Sequence, residues 1–186
     1  MSALRWRHYD PNARPLGRLM IEVAYNSRLC VEKGTKTERP REVPVHPTLA
    51  KVLASWKLSG WRSEQGRAPR PDDLVVPAVE GGCRNVGWAL KLWYGDLDAL
   101  GLRRRRHYDT RRTFISFGLG DGARKDLLRW VTHAPGDVFD DYTSPPWPAL
   151  CEEVAKLRVG LRQGEVVPLV TGGKLEDSAE AAQKAE

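Results

Sequence analysis

The chain has 186 residues, 41% of them apolar, and a formal charge of +6 at pH 7. That length suits one domain with a usable core, and no apolar run approaches membrane-spanning length, so a membrane protein is not expected. Cys30, Cys83 and Cys151 are odd in number and far apart, which argues against a disulfide framework, gives no metal-ligand spacing and reads as reduced core residues of a soluble, cytoplasmic protein. Residues 165–186 hold five acids and two lysines, a net −3, which leaves +9 on residues 1–164. A basic body of that size suits a polyanion such as nucleic acid.

In chain order, residues 3–10 (ALRWRHYD) read as a helix end running into a turn at Pro11 and Asn12. Between Arg18 and Val45 the runs LMIEVAY, RLCVEKG and REVPVH predict a three-stranded antiparallel meander, with Lys36 at the tip between the second and third strands. A lysine at a hairpin tip is ordinarily only solvated. His46 reads as a turn residue, and Pro47 as the start of a helix over Thr48–Leu58 with Leu49, Val52, Leu53 and Trp56 facing the core. The polar tract SGWRSEQGRAPRPDD reads as an exposed loop, and LVVP as a short buried strand. A helix over Asn85–Leu100 follows, stopped by Gly101, with Trp88, Trp93 and Tyr94 read as core rather than as base-stacking aromatics. Ala149–Leu161 reads as a last helix, with Leu150, Val154, Leu157 and Leu161 on one stripe. The expected architecture is α+β: a mostly helical domain over residues 1–163 with a small three-stranded antiparallel sheet on one side, then a disordered tail at 164–186.

The stretch from Tyr108 to Tyr142 carries the chemistry. Six of the ten residues from Arg103 to Arg112 are arginine; such a run is either a solvated face or a phosphate-contacting one. Asp109 or Thr110 can cap a helix with Phe114, Ile115 and Phe117 on its apolar side. A phosphate at that N-terminus would meet free N–H groups, the helix dipole and Arg111 together, and Tyr108, three residues earlier, shares the face of Arg111. Gly118, Gly120 and Gly122 read as a turn, and Ala123–Val131 as a second helix with Leu127, Leu128 and Val131 inward. His133 and Tyr142 follow, the latter beside Asp140 and Asp141, which read as solvated rather than as metal ligands.

These residues resemble the tyrosine recombinases, or phage integrases, whose members carry His-x-x-Arg, then Gly-His or Thr-His, then a nucleophilic tyrosine nine residues after that histidine. YDTRRTFIS is similar to the first motif, with Tyr108 in place of its histidine; VTHAP is similar to the second and DDYT to the third, and Tyr142 lies nine residues beyond His133. Thr35-Lys36-Thr37, followed by REVPV, resembles the hairpin that holds the family's catalytic lysine. The resemblance implies a recombinase that cleaves and rejoins double-stranded DNA through a 3′-phosphotyrosyl intermediate, with Tyr142 as nucleophile, Arg111 as phosphate clamp, His133 as hydrogen-bond donor to a phosphate oxygen and Lys36 as general acid to the leaving 5′-oxygen. Tyr108 donates a hydrogen bond in place of the missing histidine, Arg103, Arg104, Arg105, Arg106 and Arg112 contact DNA, and no metal or organic cofactor is implied. The segment resembling LRW implies a further clamping arginine about two turns before Trp6. That position precedes Met1, so the expected chain lacks this arginine and an N-terminal DNA-clamping domain, and inactivity in this form is one outcome the resemblance allows. The C-terminal segment is expected to dock on a neighbouring subunit, giving self-association on DNA.

Two rival readings stay open. The helix pair after Asp109 also fits a helix-turn-helix, which makes the chain a non-catalytic basic DNA-binding regulator. His107, Asp109 and His133 would be the ligands of a metal-dependent nuclease.

Overall fold

The computed structural model describes residues 3–34, 40–79, 81–133 and 143–159. The α+β architecture is as the sequence pattern indicates, but the strands are partnered differently. LMIEVAY is divided at Glu22: β2 (Gly17–Ile21) and β3 (Val23–Asn26) enter different sheets. Glu22 leaves the ladder to place its carboxylate 3.1 Å from the ring of His8, a buried histidine at the end of the 3-10 turn Trp6–His8. The chain then turns back on itself as a separate hairpin, β3 with β4 (Val31–Gly34). Asn26 closes that hairpin, its side chain accepting from the N–H groups of Arg28 and Leu29 at 3.0 and 3.3 Å. β4 is exposed along its whole length.

The three-stranded sheet is instead β1–β2–β5, with β1 (Tyr9–Asp10) taken from the segment expected to end a helix and β5 at Arg41–Val45. All pairs are antiparallel, in a register that sets Tyr9 opposite Leu19 and Leu19 opposite Val43. Along β5 alternate residues share a face. Val45 is fully buried and Val43 packs on the core, so the same face carries Arg41 inward with them.

His46 caps α1 (Pro47–Ser55), its Nδ1 accepting from Thr48 N at 3.1 Å, while its Nε2 lies 2.9 Å from the carbonyl of Leu157. The histidine is therefore structural, as its place beside Pro47 suggested. The helix does not end at Leu58: it passes through a π turn at Trp56–Gly60 into α2 (Trp61–Gln65) and stops at Gly66, whose φ is +69°. The expected exposed loop is thus half helix. Its Trp61 is 1% exposed, donating to Leu74 O at 2.9 Å, and Trp56 donates to Val75 O at 2.6 Å. Gly60 is required there, because a Cβ would come within 2.4 Å of the Trp56 ring. Leu49 and Val52, expected in the core, are exposed.

α3 (Val86–Ala99) begins at Asn85, whose side chain accepts from Gly87 N and Trp88 N, and is followed by Gly101 at φ +64°. Trp88 is exposed, so it departs from the core reading. α4 spans His107–Gly120, α5 Lys125–Thr132 and α6 Trp147–Ala155. Gly118 lies inside α4 rather than in the turn, buried against Leu128, and the turn itself uses Gly122 at φ +85°. α6 stops at Ala155, short of the expected end, although Leu157 is still buried. Of the cysteines only Cys151 is a core residue; Cys30 is exposed and Cys83 half-buried.

Two apolar clusters result. Trp6, Trp61 and Val75 form one, with Leu4, Tyr9, Leu53 and Trp56 around it. Leu127 and Val131 of α5 with Leu150 and Val154 of α6 form the other, joined by Val43 of β5 and Phe114 of α4. Among the described residues no helix is long and apolar enough to cross a membrane.

Candidate phosphate-binding site

Three elements end at one place above the second cluster. Val43 and Phe114 anchor β5 and α4 to the same apolar floor. Arg41 is two residues before Val43 on the strand and Arg111 three before Phe114 on the helix, so both point along those faces towards the C-terminal end of α5. There the carbonyl of Thr132 accepts from both: Arg111 Nη2 donates to it, and Arg41 Nη1 does so at 3.2 Å. Helix C-termini carry unpaired carbonyls and the negative end of the dipole, which explains why two cations collect there.

His133 is the next residue, the C-cap of α5, its N–H bonded to Arg129 O at 2.7 Å. Partial burial, and after it the like charges of Arg111, Arg41 and Arg129, hold its imidazole below the ordinary value of 6.5. The residue keeps an exposed surface, so the surrounding positive charge is the part of that shift that tells most about the site. Its Nδ1 lies 2.8 Å from the Thr132 hydroxyl, which also reaches Leu128 O at 2.8 Å. A hydroxyl that donates to that carbonyl accepts from Nδ1–H and leaves Nε2 as the outward-facing nitrogen. Two guanidiniums and one imidazole that resists protonation therefore surround a single point.

Arg111 and His133 are thus brought together, as the spacing led one to expect. The site is not at the start of α4, however. That helix begins at His107 with Arg106 as N-cap, and its first turn already holds an anion: Asp109 accepts from Arg106 N at 3.0 Å. The same hydrogen bond, helped by the Arg106 and Arg112 charges, keeps the Asp109 carboxyl below its usual range. Asp109 is therefore the third helical residue and not the cap, and Arg111 acts from the second turn.

Tyr108 is exposed, its ring 5.9 Å from the guanidinium carbons of both Arg111 and Arg112. It flanks the clamp as a cation–π partner. Arg103, Arg104, Arg105 and Arg106 are all exposed. Arg104 is paired with Asp98 at 2.8 Å and Arg106 with Asp109 at 3.4 Å. Exposed pairs of this kind add little to stability and exchange readily for phosphate. Lys36, Asp140, Asp141 and Tyr142 lie outside the described residues, as does the segment 164–186.

His107, Asp109 and His133 do not gather. His107 stacks on Trp93 with ring centroids 5.4 Å apart, and Asp109 is engaged at the helix start. Among the described residues no group of three His, Cys, Asp or Glu is placed to hold a metal ion.

The residue that sequence reasoning missed is Arg41. The signal was present: in REVPV the alternation that buries Val43 and Val45 puts Arg41 on their face, where an unneutralised arginine is uncommon.

Comparison with protein-family models, with curated proteins and with solved structures gave no match.

Proposed function

We propose that the chain is a DNA-binding, site-specific recombinase of the tyrosine type, which cleaves and rejoins DNA strands through a 3′-phosphotyrosyl intermediate. The meeting of Arg111 and His133 at the end of α5, from positions on different helices, is the observation that carries this reading. The order of the motifs along the chain, with Tyr142 nine residues past His133, supports it.

A backbone phosphodiester bears one negative charge, and attack on phosphorus spreads more over its non-bridging oxygens. Arg111 supplies a planar, permanently charged fork for those oxygens. His133, which takes up a proton at Nε2 as the phosphate offsets the surrounding arginine charges, donates a hydrogen bond from that nitrogen to one of those oxygens and holds the phosphate in line. The Tyr142 oxygen bonds to phosphorus as its proton passes to solvent, the bond from phosphorus to the 5′-oxygen breaks, and Lys36 returns a proton to that leaving oxygen. The arginines from Arg103 to Arg106, with Arg112, hold the neighbouring backbone by charge.

A helix-turn-helix regulator is the other reading of the same residues. It is favoured less, because α5 buries Leu127, Leu128, Val131 and Thr132 and exposes an acid, Asp126, where a groove-reading helix meets phosphates.

The test is covalent trapping on a pool of nicked duplexes of randomised sequence, with chelator present. The expected result is a chelator-insensitive protein–DNA adduct that disappears in Tyr142→Phe while DNA affinity is kept, and that forms about 10²- to 10³-fold more slowly in Arg111→Ala. Salt-sensitive binding without any adduct would instead identify a non-catalytic DNA-binding protein.

A further inference from the structure

The Nε of Arg41 is buried and has no acceptor among the described residues. This is a demanding place for an orphan donor, because a buried unpaired hydrogen-bonding group is unfavourable and a charged one more so. Arg41 spends Nη1 on the Thr132 carbonyl. By the covalent geometry of guanidinium, Nε–H and one Nη2–H lie on the opposite edge and point the same way, as the two-pronged edge that carboxylates and phosphates bind. Burial and then the charge of Arg111 pull the Arg41 guanidinium below its ordinary range. The pair is therefore held at close quarters with one neutral carbonyl between them and, among the described residues, no anion. Capping α5 needs one cation, since a single guanidinium carries enough donors for the Thr132 oxygen. It gives no reason for the second, nor for a buried Nε–H with no acceptor among the described residues. The residue as a whole is only half-buried.

We propose that Arg41 is a second clamp for the same oxyanion, and that Arg41, Arg111 and His133 form one binding site for a tetrahedral phosphate group. The inference rests on the reading of Arg111 and His133 given above. Arg111 and Arg41 approach the phosphate from α4 and from the sheet, each keeping one prong on the Thr132 carbonyl and offering the others to separate oxygens. His133 takes a third oxygen. Two guanidiniums with no facing carboxylate among the described residues select an anion whose charge grows, which a carboxylate ligand does not do and a phosphoryl group under attack does.

The experiment titrates the full chain with inorganic phosphate at pH 7.5 and follows the ring signals of its four histidines by NMR, for the wild type, Arg111→Ala, Arg41→Gln and Arg41→Lys. Saturable binding that moves the His133 signal is expected in the wild type. It should weaken about tenfold or more in Arg41→Gln and several-fold in Arg41→Lys, which keeps the charge on the carbonyl but loses the fork. If Arg41→Gln does not fold, Arg41→Lys decides. Phosphate affinity that falls in Arg111→Ala but is untouched by the folded Arg41 variants overturns the second clamp and leaves the recombinase reading standing. Affinity that falls with Arg41 while no covalent DNA adduct ever forms keeps the phosphate site and removes the recombinase reading. A wild type that does not bind phosphate overturns the site.

Discussion

The two apolar clusters found among the described residues close in opposite ways. Around Trp6, Trp61 and Val75 the polar edges of the large rings are turned onto backbone: Trp61 and Trp56 each give an indole N–H to a carbonyl of the Leu74–Val75 segment. The cluster under α5 and α6 ends in carbonyls instead, and arginines from two other elements close it. Each region also holds one buried nitrogen without an acceptor among the described residues, Trp6 Nε1 in the first and Arg41 Nε in the second. The difference lies in charge. A neutral indole in an apolar shell is a packing imperfection, whereas a guanidinium beside a second guanidinium is an attraction for an anion. The first region closes on neutral backbone groups, and the second closes on positive charge.

That division is sharpened most by Trp61→Ala. Removing a fully buried tryptophan should lower stability by about 3–5 kcal/mol, read as a fall in the denaturant midpoint, while DNA affinity per folded molecule stays as it was. A loss of affinity without loss of stability would mean the two regions are not separate. Proton linkage at the second region comes next. His133 is held below its ordinary value when the site is empty, and an anion placed among the same arginines offsets their charge and raises it. Binding therefore takes up a proton. DNA affinity should rise as pH falls through the bound-state pKa, by less than tenfold per pH unit, and level off below the free-state one; His133→Asn should flatten that slope. The smallest effect belongs to the exposed run. Arg103→Gln with Arg105→Gln should lower the dependence of log affinity on log salt by about 1–2 and leave stability and the rate of any covalent step unchanged.

How far the sequence anticipates this molecule depends on whether a feature is local. The helix start at Pro47 after the turn residue His46, the helix beginning near Asn85 and stopped by Gly101, and the inward row Leu127, Leu128 and Val131 are set within a turn or two of chain, and they read correctly. Trp61 did not, because serine and glycine before it resemble a loop and only the distant Trp6 and Val75 make a helix worthwhile there. The strand partners failed for the same reason: LMIEVAY splits at Glu22, whose carboxylate turns to the distant His8, and its halves pair with strands that local pattern does not identify. Of the candidate site, Arg111 and His133 were legible from spacing. Arg41 was legible only as half of an alternation whose burial the neighbouring Val43 and Val45 reveal. Lys36 and Tyr142 fall outside the described residues and rest on the resemblance alone.

Gly118 connects the packing to the chemistry. It sits two turns along α4 from Arg111 on the same face, and a side-chain carbon there would meet Leu128 at 2.8 Å. A methyl there would press α4 away from Leu128 of α5, and with it Arg111 away from the end of the neighbouring helix. The spacing between Arg111 and the Thr132 carbonyl is thus sensitive to a residue two turns away from the arginine.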